Sequence, residues 1–294
     1  MAVMKNKKVL ALGNFDAIHR GHRMLLEKAR VIASSSGSKL LVCTFGDDFY
    51  ANLGRPSREV FLLSERRKIF AGLGINELFI FDTSKEFFNK SKDEFLRYLM
   101  TFNPSAVVVG ADYRFGKNAS GSIYDLKTFF GTKNVRVEVA DLLYEDGEKI
   151  ATTLIKKLLT EGDIEKANGL LGFDYFLTGV VSKGRQVGSG MGIPTANIDI
   201  PFHKLPPKPG VYVSKIFVRS KVYPCVTNIG DHPTFDDGHF NVETHIFDFD
   251  EEIYGEEVTV TLIKRIRDIV KFDNKQQLVE QINKDVQFAK EVLQ

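Results

Sequence analysis

Four short apolar runs, VLAL (9–12), LLVCTF (40–45), LFIF (78–81) and AVVVG (106–110), recur through the first third of the chain with helix-like segments between them. Runs this short and rich in aliphatic residues read as buried strands, and strands that alternate with helices pair in parallel, because each helical crossover returns the chain to the same end of the sheet. Met24, Leu25, Ala29 and Ile32 recur at helical spacing before Gly37, and SKDEFLRYLM opens with Ser91 and Glu94 spaced as a capping box. The pattern predicts a parallel, doubly wound α/β domain of Rossmann-like type. Near residue 170 the rhythm changes. ATTLIKKLLTEGDIEKANGLLG (151–172) reads as two short helices, the second started by Asp163 and ended by a glycine. Beyond it DYFLTGVVSKG, GVYVSKIFV, KVYPCVTNIG, NVETHIFDF and EVTVTLIKRI are strands between Gly, Pro and Asp-Gly turns, which predicts an antiparallel barrel or sandwich. Apolar residues at 278, 282, 286, 289 and 293 predict a final amphipathic helix on the barrel. The expected domains are 1–172 and 173–294.

Charge narrows the partners. Forty basic against 38 acidic residues leave +2, with no Lys/Arg run to serve as a nucleic-acid arm, so an anionic partner is expected to be small and bound locally. Cys43 and Cys225 lie far apart and outside any CxxC, which points to a reducing cytoplasm and not to a disulfide framework. The opening MAVMKNKKVLALGNF has too brief an apolar run for a signal segment, and no stretch approaches 18 apolar residues. Neither export nor a membrane partner is expected.

LGNFDAIHRGH (12–22) places Gly13, Asn14, Phe15 and Asp16 between a buried strand and a helix, with His19 and His22 three apart at the helix start. Anions belong at such a position, where helix-terminal amides face outward from the sheet's carboxyl edge. Two histidines there can donate to phosphate oxygens, and Gly21 lets the backbone come close. A metal would need further ligands, which the nearby sequence lacks, and a solvated surface pair is the third reading. VVGADYRFGKNASG (108–121) follows the last parallel strand, so Gly110 and Asp112 mark either a ligand loop or a tight turn.

In the second half, GSGMGIPTANIDI carries Gly188, Gly190 and Gly192 in a backbone-exposed loop suited to phosphates, closed by the stiff Pro194. Thr195 and Asn197, two apart on an extended chain, point their oxygens to one side, a hard-ligand pair adequate for Mg²⁺. NIGDHPTF comes next with Asn228, and on the strand expected over Phe240–Phe249 the residues Glu243, His245, Phe247 and Phe249 share one face.

GxFDxxHxGH resembles the signature of the adenylyl- and cytidylyltransferase superfamily. The remaining segments, in order and spacing, resemble the bacterial bifunctional riboflavin kinase and FAD synthetase family: VGADYRFG, the SSTxIR-like stretch at 151–156, GSGMGIPTANI, NIGDHPTF, VETHIFDFDEEIYG and RIRDIVKF. The resemblance covers nearly the whole chain, least well over residues 46–60. It implies ATP, riboflavin and FMN as substrates with Mg²⁺, Glu243 as base for the ribityl hydroxyl, and Thr195 and Asn197 as metal ligands. It further implies phosphate contacts from His19, His22, Thr153 and Lys156, with Thr153 capping its helix. The chain departs from the family at Ala17, at Ala151 and Thr152 in place of serines, at Lys156 in place of an arginine, and at GDDF (46–49), which lacks the usual prolines. A lysine meets phosphate as a point charge and not as a two-pronged fork. Two other readings stay open: a kinase whose first module only binds nucleotide, and a non-catalytic flavin-binding protein.

Overall fold

The computed structural model describes residues 7–54, 57–183, 195–231 and 240–294. The chain divides into two compact units, Met1–Thr152 and Thr153–Gln294.

The first unit is a five-stranded sheet of β1 (Lys8–Leu12), β2 (Lys39–Phe45), β3 (Leu78–Phe81), β4 (Pro104–Gly110) and β5 (Arg136–Ala140). Their order is β3-β2-β1-β4-β5, all parallel, so the order reverses between β1 and β4. The period-two geometry sorts the strand residues. Val9, Ala11, Val42, Ala106 and Val108 form one core with Leu25, Leu26 and Ala29 of α1 (Arg20–Ser36) and Phe70 of α3 (Leu63–Gly72). Leu10, Leu12, Leu41, Cys43, Val107 and Val109 face the other way, onto Phe87 of α4 (Lys85–Phe88), Phe95 and Leu99 of α5 (Lys92–Met100) and Phe130 of α6 (Ile123–Gly131). Much of the phenylalanine is spent on this second core. Between β2 and α3 lies the short α2 (Phe49–Asn52). The Ser91–Glu94 capping box forms as expected. Strand β5, charged at alternate positions on the sheet edge, was not among the expected strands. A small hairpin, β6 (Tyr144–Glu145) and β7 (Glu148–Lys149), closes the unit through a left-handed turn at Asp146 and Gly147.

The second unit opens with α7 (Thr152–Glu161) and α8 (Ile164–Leu171); Asp163 caps α8 and Gly172 ends it in the left-handed region. A division at residue 172 would give these helices to the first domain, yet they pack on the barrel side of the chain: the Lys208 amide donates to Leu159 O and the Asn168 side chain to Leu262 O. The barrel consists of β8 (Phe176–Ser182), β9 (Ala196–Asp199), β10 (Gly210–Val218), β11 (Lys221–Asp231), β12 (Phe240–Ile246) and β13 (Glu257–Arg267). It closes in the order β10-β11-β12-β9-β8-β13. Its lumen is filled by Tyr212, Ile216, Ile229, Val260 and Leu262 and by a buried hydroxyl chain, Ser214 to Thr227 at 2.7 Å and Thr227 to Thr244 at 3.0 Å. Helix α9 (Lys275–Val292) lies on the outside, its Val286 and Ala289 packed over Val211, Val213 and Val226. Each such aliphatic side chain contributes about 1.5–3 kcal/mol when fully buried.

Candidate active sites

In the first unit, the loops after β1 and β4 lie side by side at the carboxyl end of the sheet where strand order reverses, the place at which such sheets bind ligands. Helix α1 starts at Arg20, with His19 as its N-cap. Gly13 and Asn14 therefore precede the helix terminus instead of forming it, and the Gly13 amide is used by Cys43 O. Between them and the helix the chain makes two left-handed steps, at Phe15 (φ 52°) and Ile18 (φ 44°). Such a conformation costs a β-branched residue of order 1–3 kcal/mol, and full burial of both side chains holds it in place. Phe15 packs edge-on to His22 and Phe70, and Asp16 is wholly buried, its Oδ1 accepting from the Val60 amide at 2.6 Å. These two signature residues shape the loop from within.

The loop's outer wall is the histidine pair. The His19 and His22 rings stack with centroids 3.8 Å apart, and Nδ1 of His19 accepts from the His22 amide. Burial pushes His19 down to about 4, the charge of Lys149 adds to this, and Asp112 and Asp16 oppose it. His22 is pushed well below its ordinary value, first by burial and then by His19 and Lys149. Both rings are neutral at pH 7, so each offers one N–H, and Nδ1 of His22 has no hydrogen-bond partner among the described residues. Gly110 turns the chain after β4 so that Asp112, exposed, meets Nζ of Lys149 at 2.5 Å. Among the described residues no three His, Cys, Asp or Glu side chains are grouped to hold a metal ion.

Sequence reasoning missed Arg66. Its guanidinium is fully buried and donates to the Asn14 and Phe45 carbonyls (both 3.0 Å), the Thr44 hydroxyl (3.2 Å) and Asp47 (3.3 Å). It thereby ties the loops after β1 and β2 together. Its only local signal was an arginine on a helix, and all its partners are 19 or more residues away.

In the second unit, Asn197, Glu243 and Asn228 form one cross-strand row: Glu243 on β12 pairs with Asn197 of β9 on one side and Asn228 of β11 on the other. A cleft of about 230 Å³ opens on this outer face of the barrel, lined by Thr195, Asn228, Glu243, His245, Arg267 and Asp285 together with Val211, Val226, Ile269, Phe272, Leu278 and Ile282. The Glu243 carboxylate is held by the Asn241 side chain, which donates to its Oε1 at 2.8 Å. Strand β12 stops at Ile246, shorter than expected, because the chain turns through a left-handed Asp248; Phe247 is buried under α9 and Phe249 packs on Tyr223. The far wall is fastened by Arg267, whose Nη2 donates to the buried Asp285 of α9 at 2.7 Å, with Nε at 3.1 Å from both carboxylate oxygens. Helix α7 begins at Thr152, so Thr153 sits inside its first turn and is not its cap; the Ile150 amide is still committed to the hairpin through Leu143 O. Lys156 lies one turn further on α7. Gly188, Gly190, Gly192 and Pro194 lie outside the described residues.

A nucleotide-type switch-point site joined in one chain to a barrel with an oxygen-lined outer cleft defines a two-module transferase. Residues 2–154 match the family model described as FAD synthetase and residues 171–293 that described as riboflavin kinase. The chain is 33% identical to the bifunctional riboflavin kinase/FMN adenylyltransferase of Listeria monocytogenes, over 95% of this chain and 90% of the relative. It is 34% identical to the protein of that name from Bacillus subtilis, over 96% and 92%. A crystal structure titled as a macrolide-efflux protein from Streptococcus pneumoniae shares the fold, with a TM-score of 0.89 and 31% identity over 98% of this chain and 95% of that one. In the present chain no described helix is long and apolar enough to cross a membrane. The chain belongs to the bifunctional riboflavin kinase/FMN adenylyltransferase family.

Proposed function

We propose that the chain phosphorylates riboflavin to FMN in the second unit and adenylylates FMN to FAD in the first, each time from ATP. The observation that carries this reading is the cross-strand row Asn197–Glu243–Asn228, of which Glu243 and Asn228 line a cleft whose other walls include Val211, Val226, Ile269, Phe272, Leu278 and Ile282. Glu243 takes the proton of the ribityl 5′-hydroxyl as its oxygen attacks the γ-phosphorus and ADP departs, while the apolar length of the cleft suits a flat ring. The Thr195 hydroxyl and the Asn197 amide oxygen make a hard, all-oxygen donor set beside that carboxylate, which fits Mg²⁺; when bound, the ion supplies neutralisation of phosphoryl charge. In the first unit an FMN phosphate oxygen bonds to the α-phosphorus and the bond to the β-phosphate bridge breaks, releasing pyrophosphate. The neutral His19 and His22 donate to phosphate oxygens, and Gly110 and Asp112 border the same switch point. No protein nucleophile is needed, so catalysis reduces to positioning and electrostatics. We assign the first unit, Met1–Thr152, to the adenylyltransferase function and the barrel, residues 173–294, to the kinase. A reducing cytoplasm suits the two buried free thiols, whose burial pushes both up to about 12.

The test is incubation of the full chain with riboflavin, ATP and Mg²⁺ and separation of the flavins. FMN followed by FAD is expected. FMN alone would reduce the first unit to a nucleotide-binding module, and neither product would overturn the reading.

A further inference from the structure

Arg66 is a poor stabiliser for so deeply buried a group. Its guanidinium has no exposure, its ion pair is with Asp47 at 3.3 Å, itself one-third exposed, and its Nε meets no hydrogen-bond partner among the described residues. A guanidinium taken out of water for one long ion pair returns less than a well-packed apolar side chain would, so fold stability does not account for the charge. Geometry does. Nη1 donates to the Asn14 carbonyl and Nη2 to the Phe45 carbonyl, both at 3.0 Å, and the rigid plane of the group fixes the gap between these two backbone oxygens. The Asn14 oxygen is held a second time, by the Thr44 hydroxyl at 2.6 Å, and its side chain donates to Tyr50 Oη at 3.1 Å, so the loop after β1 and helix α2 share one clasp.

The loop after β2 depends on that clasp. GDDF (46–49) has no proline to stiffen it; Asp47 Oδ1 takes the Leu63 amide at 2.6 Å as well as Nη2 of Arg66, and Asp48 Oδ2 takes the Thr83 hydroxyl at 2.6 Å. In the sheet β2 and β4 flank β1 on opposite sides, and the histidine wall lies within reach of the charge on Asp112, after β4. This leaves the β2 side for the acceptor. Phe45 and Phe49, half-buried with ring centroids 4.3 Å apart, offer apolar surface to a flat ring there.

Resting on the adenylyltransferase reading above, we propose that Arg66 is a positioning residue for adenylyl transfer. By spanning the Asn14 and Phe45 carbonyls it sets the distance between the donor and acceptor sides of the site, and so the line on which the FMN phosphate oxygen approaches the α-phosphorus. Arg66 touches neither substrate and moves no proton. The α-phosphorus gains its bond from the FMN oxygen and loses its bond to the bridge with or without it. A misplacement of about 1 Å costs on the order of 10²-fold in such a reaction, so the hold on two loops is read in kcat.

The experiment measures kcat and both KM values for FMN adenylylation by the full chain. Arg66→Lys keeps the charge and most of the length but not the fork that spans two carbonyls; Arg66→Met keeps the volume without donors. The expected fall in kcat is on the order of 10-fold for Arg66→Lys and 10²-fold for Arg66→Met. The KM for ATP stays within a few-fold of the parent, and pyrophosphate shifts the His19 and His22 ring signals of Arg66→Lys as it does in the parent. Asp47→Asn, which takes the negative charge from the clasp and keeps both carbonyl contacts, leaves kcat within a few-fold. The urea midpoint of the first unit separates positioning from folding, because a residue that only held the fold would lower kcat and midpoint together. Three outcomes overturn the proposal: a kcat in Arg66→Lys equal to the parent's, a fall in that kcat matched by the midpoint or by a rise in the ATP KM, or a loss in Asp47→Asn as large as in Arg66→Lys. A parent that forms no FAD sinks the adenylyltransferase reading itself; a parent that forms FAD while Arg66→Lys keeps pace sinks the positioning role alone.

Discussion

Glu243 and the histidine pair are both polar groups at the edge of an apolar region, yet they call for opposite experiments. Glu243 keeps one oxygen in a hydrogen bond from Asn241, and a glutamine there preserves that acceptor and the shape while removing the carboxylate proposed as the base. Glu243→Gln is expected to slow riboflavin phosphorylation on the order of 10² to 10⁴-fold and to leave FMN-to-FAD conversion at the parent rate. Flavin products separated after parallel incubations read both; equal loss of the two would point to misfolding. His19 is a matter of pH. Its folded value, about 4, lies below the unfolded 6.5, so the stability gained from keeping it neutral is complete above pH 6.5 and drains away as pH falls toward 4. That is on the order of 3 kcal/mol for His19 alone. Melting temperatures tracked from pH 7 to 4 should drop more steeply for the parent than for His19→Asn. Parallel curves would show the ring to be protonated without penalty. The polar residues of both candidate sites could be named from the sequence because they sit in contiguous segments with fixed spacing. Arg66 and Asp285 could not, since the guanidinium contacts of each join residues 18 to 52 positions apart. Nor could spacing separate Phe15 and Asp16, which are wholly buried and build the loop from inside, from His19 and His22 beside them.

At the level of elements, the strand rhythm announced four of the five parallel strands; β5 escaped because charged residues interrupt its short apolar positions on an edge. The closing helix was foreseen as a stripe, but not the ionic latch that fixes it. Asp285 is 3% exposed and receives three guanidinium contacts within 3.1 Å as well as the Gln281 amide. Asp285→Asn should cost about 2–3 kcal/mol, since a buried partner is lost while Arg267 retains some access to water. Because α9 and Arg267 form one wall of the cleft, the riboflavin KM should rise with it. Denaturant unfolding and saturation kinetics on the same sample check the pair; an unchanged midpoint would reduce the latch to a surface contact. Gly179 tests barrel closure. A Cβ there would lie 2.3 Å from the Asp199 carbonyl oxygen and 2.8 Å from Ile198, both on β9. Gly179→Ala must push β9 away, and with it Asn197, so kinase activity and the barrel's thermal stability should fall together. Normal activity would mean that β9 can shift without disturbing the row.

For the whole molecule, two compact units in one chain imply two cooperative transitions, and ligands should sort them. Riboflavin with ADP and Mg²⁺ binds only the folded second unit on this reading, and at 100 times its dissociation constant stabilises it by about 2.7 kcal/mol. Calorimetry should show one transition moving upward while the other stays in place; a single transition shifted as one would deny the units their independence. The barrel itself is a solid spindle. Its lumen is packed with aliphatic side chains and linked hydroxyls, and the strand residues that line the outer cleft point away from it, toward α9. Substrate choice and backbone robustness are therefore written on opposite sides of the same strands, at alternating positions. Heritable variation can retune the spindle's filling for heat or cold without touching what the outer cleft selects, and can reshape the cleft without loosening the spindle.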